Sequence, residues 1–579
     1  MFTETYAADS WMPRRISPLS KRGMVAAKMP QAARIGADIM AAGGNAIDAA
    51  VATAFAVGVC EPWMNGIGGG GYMVGWLAKE QKPFFIDFAM QAPAAATADM
   101  YPRADAAADD AGFFGWPATE GNRHVMGPHS IAIPGTLAGL NLALEQFGTI
   151  SLAEALAPAI KLAEEGFPIT WHHTQLLAKS VQTIRKFPET ARIVLRPDGD
   201  VPFTQEQPTP AMIRQPELAA TLKRIATEGP DVFYRGEIGG AIADYLAAEG
   251  TVFTRDDLAN YQAKLLEPNT VEYHGHTVYT TRGGSGGTSM TQALTALNLL
   301  DTGTVEDRTV EQWHAIAHVF RQAFADRFTY LADPDQVEVP IAAMLSEEYA
   351  QATIDAIGKQ ITPPTPGSRE RLRVSHQLEA SVPEYMKDGS TTHLSVMDGE
   401  GNAVAITQTL LSLFGSFVTI PGTGILMNNG MMWFDPEPGR PNSVGGGKRP
   451  LSNMAPAVIV KDGTAIASIG ASGGRKIMNC NAQQIMNIVD AGMSAQDAID
   501  APRIDCSTRE VLVSTRLPES IRDGLAARGY TLGLRHEALL TGDFSSPTAV
   551  RRSPDGTLDG GADPWYMPAT AIGVKDDSE

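Results

Sequence analysis

The chain reads as an α+β protein, and three observations predict it. Residues 30–42 and 46–59 are alanine-rich with helical periodicity. Two alternating segments, 392–398 and 403–409, flank Gly399-Glu400-Gly401-Asn402 and read as a tight hairpin, which sets Thr409 across from Thr391. A second strand pair, 457–461 and 464–469, is joined by Asp462-Gly463. Between these, 71–78 and 82–87 read as strands, and 135–147, 152–165 and 312–330 as helices, with helix-like segments at 476–489 and 518–528. At 579 residues the chain exceeds one ordinary core, yet it holds no low-complexity linker and no repeat, so two interleaved portions of one folded body are expected. The irregular tract 359–387, with Pro363-Pro364-Thr365-Pro366-Gly367, reads as an exposed loop.

The most informative stretch is Thr391-Thr392-His393-Leu394-Ser395-Val396-Met397-Asp398, continued by Gly401-Asn402-Ala403-Val404-Ala405-Ile406-Thr407-Gln408-Thr409. With it, in the same order as in a known family, stand Gly43-Gly44-Asn45-Ala46-Ile47-Asp48, Gly66-Ile67-Gly68-Gly69-Gly70-Gly71, Pro134-Gly135-Thr136, Ala325-Asp326-Arg327, Lys448-Arg449-Pro450-Leu451-Ser452 and Gly473-Gly474. The chain thereby resembles the gamma-glutamyltranspeptidase family of N-terminal nucleophile hydrolases over most of its length. The resemblance implies a four-layer αββα sandwich with two central antiparallel sheets. It also implies self-cleavage between Ser390 and Thr391 into portions 1–390 and 391–579 that stay together, and a possible dimer of such heterodimers. Thr409 would orient Thr391, and the N–H groups of Gly473 and Gly474 would form an oxyanion hole.

The residues support that chemistry in their own right. An alkyl hydroxyl needs a base beside it, and a new N-terminal threonine carries one as its own amine, titrating near ~8. In the precursor the Thr391 hydroxyl would attack the Ser390 carbonyl, moving the acyl group from nitrogen to oxygen before water releases it; no protease, cofactor or metal is needed. Ala471-Ser472-Gly473-Gly474 ends an apolar run and precedes a helix-like segment, a turn that aims free N–H groups at developing negative charge.

Departures from the family pattern fall on substrate recognition. Ala98 stands where the resemblance expects an arginine that grips a substrate α-carboxylate; Leu411, Gly430 and Trp433 replace an asparagine, a glutamine and an acidic residue; Ser452 is followed by Asn453 in place of a second serine. Each lost charge-assisted hydrogen bond is worth roughly 1.5–3 kcal/mol, so a zwitterionic gamma-glutamyl head should bind poorly. Asn428-Asn429-Gly430-Met431-Met432-Trp433-Phe434-Asp435-Pro436 resembles the non-gamma-glutamyl branch, which includes cephalosporin acylases and oxamate amidohydrolase, although Met431 to Phe434 also suit plain core packing. The loop 434–447, in the position of the family's lid, is short, which suggests an open pocket or one closed by a partner chain.

A net charge of -19 and a pI near 5.1 argue against nucleic acid, which needs clustered cations. No apolar run is long enough to span a membrane, and residues 1–10 lack the basic tip and apolar core of a signal peptide. Three cysteines, Cys60, Cys480 and Cys506, suit reduced thiols in a cytoplasm. The glycine run at 66–71 follows a helix and precedes a strand, the reverse of dinucleotide-binding order, and Gly447-Lys448 lacks the Ser or Thr of a phosphate loop. His314 and His318 share a helical face without a third ligand, and they, like His172-His173, are expected to pack; His393 is expected to support the strand beside Thr391. The leading expectation is an amidohydrolase forming an acyl-enzyme at Thr391, with water as acceptor, on a small or aryl amide. The alternatives are a gamma-glutamyl hydrolase or transferase with another clamp, and an unprocessed binding or structural relative.

Overall fold

The computed structural model describes residues 15–104, 119–203, 211–357, 390–539 and 542–575; the expected loop at 359–387 and residues 1–10 lie outside them. The hairpin forms where the alternation ends: strands Thr392–Asp398 and Ala403–Thr409 pair antiparallel, Thr392 opposite Gln408 and Val396 opposite Val404. Asp398 closes the turn, its carboxylate accepting from the Asn402 N–H at 2.9 Å and from the Asn402 side chain at 2.8 Å.

This hairpin is the centre of a seven-stranded antiparallel sheet. From edge to edge its strands are Thr570–Gly573, Gly23–Ala27, Thr392–Asp398, Ala403–Thr409, Gly70–Leu77, Lys82–Phe88 and Lys264–Leu266. A second seven-stranded antiparallel sheet lies on it in the order Leu19–Ser20, Leu558–Ala562, Ser546–Arg552, Thr464–Ser472, Ala457–Lys461, His276–Thr280 and Asn269–Tyr273. Both sheets draw strands from before and after residue 391, so the interleaving expected of the two portions is built into the hydrogen-bond ladders.

Helices cover the outer faces. Pro30–Ala41 and Ala46–Cys60 pack on the first sheet, and Gly286–Leu297 and Ile477–Val489 on the second, which gives four layers, helix, sheet, sheet, helix. Ala46–Cys60 is almost wholly buried. Its start is fixed by a capping box, the Asn45 side chain accepting from the Ile47 and Asp48 N–H groups while Asp48 accepts from the Asn45 N–H. A helix this predominantly apolar, with only Asp48 and Thr53 polar, belongs inside a sandwich rather than on its surface.

Because side chains alternate across a strand, the odd residues of Thr392–Asp398 face the other sheet and the even ones face the helices. Ser395 Oγ donates to the Thr548 carbonyl of the second sheet at 3.3 Å, and the His393 ring lies so close to Gly470 that a Cβ there would fall 2.3 Å from it. The glycine run 66–71 serves close backbone approach as well. A Cβ on Gly69 would sit 2.3 Å from the Thr409 carbonyl oxygen and one on Gly71 2.4 Å from that of Thr407. Those glycines let the Gly70–Leu77 strand lie against the end of the hairpin.

Candidate active site

The first residue before the hairpin carries the geometry that matters. Thr391 Oγ1 donates to the Ser390 carbonyl oxygen at 2.5 Å and lies 3.3 Å from Thr409 Oγ1. Thr409 Oγ1 donates to that same carbonyl oxygen at 2.7 Å and accepts from the Leu411 N–H at 2.7 Å. Ser390, Thr391 and Thr409 are all buried. The hairpin register brings Thr409 opposite Thr391, and Leu411, held at φ +92°, bends the chain back so that its N–H orients the Thr409 hydroxyl. A left-handed leucine is uncommon, and the turn around it is fixed on both sides: the Leu410 N–H donates to the Met64 carbonyl at 2.9 Å and the Ser412 N–H to Asn429 Oδ1 at 3.0 Å.

The two glycines occupy the turn that ends the Thr464–Ser472 strand. Ser468 Oγ donates to the Val404 carbonyl at 2.7 Å and Gly470 lies on the His393 ring, so each step up this strand moves toward the Thr391 end of the sandwich, where Gly473 and Gly474 follow. Both have left-handed backbone, φ +136° and +62°, and a one-turn 3-10 segment then leads into helix Ile477–Val489. A Cβ on Gly473 would fall 2.7 Å from Ser545 Oγ and 2.8 Å from Ser545 Cα. Glycine is required there both by conformation and by space.

Gly430 opens a 3-10 turn through Trp433, its N–H donating to Asn428 Oδ1 at 2.8 Å; the neighbouring Asn429 N–H donates to the Leu410 carbonyl at 3.1 Å, which ties this turn to the end of the hairpin. Met431, Met432, Trp433 and Phe434 are buried in the main core, so packing accounts for them. Ser452 and Asn453 are held from behind by Arg327, which donates to the Ser452 carbonyl and, at 3.0 Å, to Asn453 Oδ1. That guanidinium is wholly buried, which explains the Ala-Asp-Arg motif as the support of this segment. Ala98 is half-buried in a turn where Thr97 Oγ1 donates to Asp99 at 2.7 Å; it offers no polar side-chain atom. The loop after Trp433 is folded back on itself, Asn442 Nδ2 donating to the Trp433 carbonyl at 2.7 Å and Lys448 Nζ to the Ser443 carbonyl at 2.9 Å.

His393 supports the strand as expected, its Nδ1 2.8 Å from Thr407 Oγ1 and its Nε2 3.0 Å from Ser395 Oγ. Burial, followed by the charge of Lys28, pushes its pKa down to about 3, so the ring is neutral. His314 pairs with the Tyr530 hydroxyl at 2.9 Å, and His172, His173 and His318 are buried among neighbours. Among the described residues no group of three or more His, Cys, Asp or Glu side chains is placed to hold a metal, and no helix is long and apolar enough to cross a membrane. A small apolar cleft lined by Phe55, Val59, Ile67, Leu222 and Ile425 lies behind the glycine run and includes neither Thr391 nor Thr409.

Sequence reasoning missed a buried charged cluster at this end of the sandwich. Lys28 Nζ donates to the Ser546 carbonyl at 2.7 Å and lies 4.6 Å from the centre of the Tyr566 ring, while the Tyr566 hydroxyl donates to Glu61. Burial lowers Lys28 to about 8 and raises Glu61 to about 7. Glutamate and lysine are ordinarily exposed, and nothing in the local pattern signals otherwise.

The profile of the gamma-glutamyltranspeptidase family matches residues 32–572. An acylase ACY 1 proenzyme of Pseudomonas sp. (strain SE83) is 37% identical over 558 residues, covering 96% of this chain and 94% of the relative. A glutathione hydrolase proenzyme of Bacillus subtilis (strain 168) is 34% identical, with 89% of this chain and 86% of the relative covered. Among solved structures, the cephalosporin acylase from Bacillus halodurans superposes with a TM-score of 0.84 at 28% identity, over 100% of both chains. A chain with this sandwich, this threonine pair and these relatives belongs to the gamma-glutamyltranspeptidase family of amide hydrolases.

Proposed function

We propose that the protein is a self-processing acylase that cleaves itself between Ser390 and Thr391 and then uses Thr391 to hydrolyse a small or aryl amide without a gamma-glutamyl head. The observation that carries it is the pair of threonine hydroxyls converging on the Ser390 carbonyl oxygen. In self-cleavage Thr391 Oγ1 attacks the Ser390 carbonyl carbon, the C–N bond breaks as the C–O bond forms, and the hydroxyl proton passes to nitrogen. Water then hydrolyses the ester, leaving Ser390 as a carboxylate and Thr391 with a free amine and hydroxyl. The portions 1–390 and 391–579 stay together because both central sheets contain strands of each.

In turnover the amine of Thr391 takes the hydroxyl proton and returns it to the leaving amine. Thr409 orients the nucleophile, and the N–H groups of Gly473 and Gly474 receive the oxyanion. The acyl-enzyme passes its acyl group to water. Leu411, Gly430, Trp433, Ser452, Asn453 and Ala98, at the positions where the resemblance expects substrate-recognition residues, supply no charge to hold a zwitterion, which together with the acylase relative favours an acyl group without an amino-acid head. Three cysteines, all buried free thiols, suit a cytoplasmic setting.

A second reading, hydrolysis of a gamma-glutamyl compound, draws on the glutathione hydrolase relatives. Rates on gamma-glutamyl-p-nitroanilide and on simple acyl anilides separate the two. Preference for the acyl anilides is expected; clear preference for the gamma-glutamyl compound overturns the acylase reading.

A further inference from the structure

The turn Glu61 to Asn65, which follows helix Ala46–Cys60, touches the chain on both sides of the Ser390–Thr391 bond. On the Ser390 side, Ser390 Oγ donates to the Trp63 carbonyl at 3.4 Å and to Met64 Sδ at 2.8 Å. On the far side, burial raises the pKa of the Glu61 carboxyl, while the hydroxyls of Tyr566 and then Thr392 favour its ionised form. The turn also holds the other arm of the hairpin. Met64 accepts from the Leu410 N–H at 2.9 Å, Trp63 from the Phe414 N–H at 2.8 Å, and Asn65 Oδ1 from Gln408 Nε2 at 2.7 Å.

What fixes the turn is Glu61. Its carboxyl is wholly buried, and one oxygen receives the Tyr566 hydroxyl. The other oxygen and Thr392 Oγ1 are both buried without a hydrogen-bond partner among the described residues. Tyr566 is in turn wedged between the Lys28 ammonium, 4.6 Å from its ring centre, and the His172 ring, 4.2 Å away centre to centre. The His173 ring lies 5.1 Å from that of Trp63. A buried carboxyl at the end of an apolar helix costs stability, and its retention here calls for a use.

We propose that Glu61 is a positioning residue for self-cleavage: anchored on Tyr566, it holds the Glu61 to Asn65 turn against Ser390 and Thr392, so that the Thr391 hydroxyl stays on the carbonyl it attacks. This rests on the self-processing reading above. Glu61 lies on the helix-facing side of the strand and Thr391 Oγ1 on the sheet-facing side, so Glu61 acts through the turn and the backbone and does not touch the reacting atoms. A misplacement on the order of 1 Å can cost about a hundredfold in rate, which sets the scale of the effect.

The test is the rate at which freshly purified full-length chain converts to two fragments, followed by electrophoresis with circular dichroism and melting as a check of folding. Glu61→Ala is expected to slow conversion at least tenfold, Tyr566→Phe several-fold, and Glu61→Gln, which keeps the shape and the acceptor for Tyr566, to restore most of the rate. A double-mutant cycle with Ser390→Ala separates positioning from general stability: once the Ser390 grip on Trp63 and Met64 is gone, adding Glu61→Ala should cost less than threefold more. Conversion of Glu61→Ala within twofold of the native rate, or effects that simply multiply with Ser390→Ala, overturns the proposal. If Glu61→Ala does not fold, Tyr566→Phe decides, and a native rate in that variant overturns it. Thr391→Ala is the control for the underlying reading: that reading fails if the native chain does not convert at all, or if Thr391→Ala still does.

Discussion

Thr391 Oγ1 and Thr409 Oγ1 meet on one atom, the Ser390 carbonyl oxygen, at 2.5 and 2.7 Å, and stand 3.3 Å from each other. The Thr391 hydroxyl is therefore held beside a second hydroxyl, which the Leu411 N–H orients in turn.

Removing that second hydroxyl should slow both reactions of Thr391 without unfolding the sheet. Thr409→Ala is expected to lower the rates of self-cleavage and of amide hydrolysis by about ten- to a hundredfold, equivalent to roughly 1.4–3 kcal/mol, with Thr409→Ser recovering most of it. Time courses of fragment formation and kcat on an acyl anilide check this.

Gly473→Ala should be severe. The new methyl group meets Ser545 at under 3 Å and the backbone is held at φ +136°, so the turn must shift and its N–H groups move off the oxyanion. A loss of about 10²–10³ in kcat is expected, the scale of one missing oxyanion donor, while KM changes little. Steady-state kinetics on the mature variant measure it.

Gly470→Ala acts further from the chemistry. Its methyl group would fall 2.3 Å from the His393 ring, which is packed between the two sheets, and overpacking of this kind costs about 1–3 kcal/mol. Chemical denaturation should show that loss, with a fall in activity because the same strand carries the glycine turn.

His393 also makes a prediction about acid. Its folded pKa is lowered to about 3 by burial, and in the unfolded chain histidine ionises near ~6.5, so the unfolded state binds the extra proton in between. The stability it contributes is complete above about pH 6.5 and is lost as pH falls toward 3, at up to about 1.4 kcal/mol per pH unit. His124, His173 and His318, each lowered to about 4 by burial, add to the same slope. His393→Asn should lower stability at neutral pH yet flatten the dependence of the melting temperature on pH between 6.5 and 4.

The layering of the sandwich was implied by the family resemblance, and many of its strands and helices were legible because their signals are local. The hairpin strands end where the alternation of 392–398 and 403–409 ends, and the helix over 152–165 begins at Ser151, whose side chain accepts from the Glu154 N–H. The strand expected over 464–469 continues to Ser472, because Gly470, Ala471 and Ser472 pair with Thr548, Pro547 and Ser546, partners too distant in sequence to announce themselves. Helix Gly286–Leu297 starts with two glycines and two residues of low helix propensity, Thr288 and Ser289, and is stabilised by packing rather than by its own composition. The hairpin alternation set Thr409 across from Thr391, while only the family resemblance singled those two out among the strand threonines. Glu61, Lys28 and Tyr566 were not legible, since they come from three distant segments and only the fold brings them together.

The central claim is that a new amino-terminal threonine is the nucleophile. Stepwise end-group sequencing of the smaller fragment from an active preparation tests it most directly. Thr-Thr-His-Leu, beginning at Thr391, is the predicted result; an active protein whose only amino terminus is that of the intact chain contradicts it.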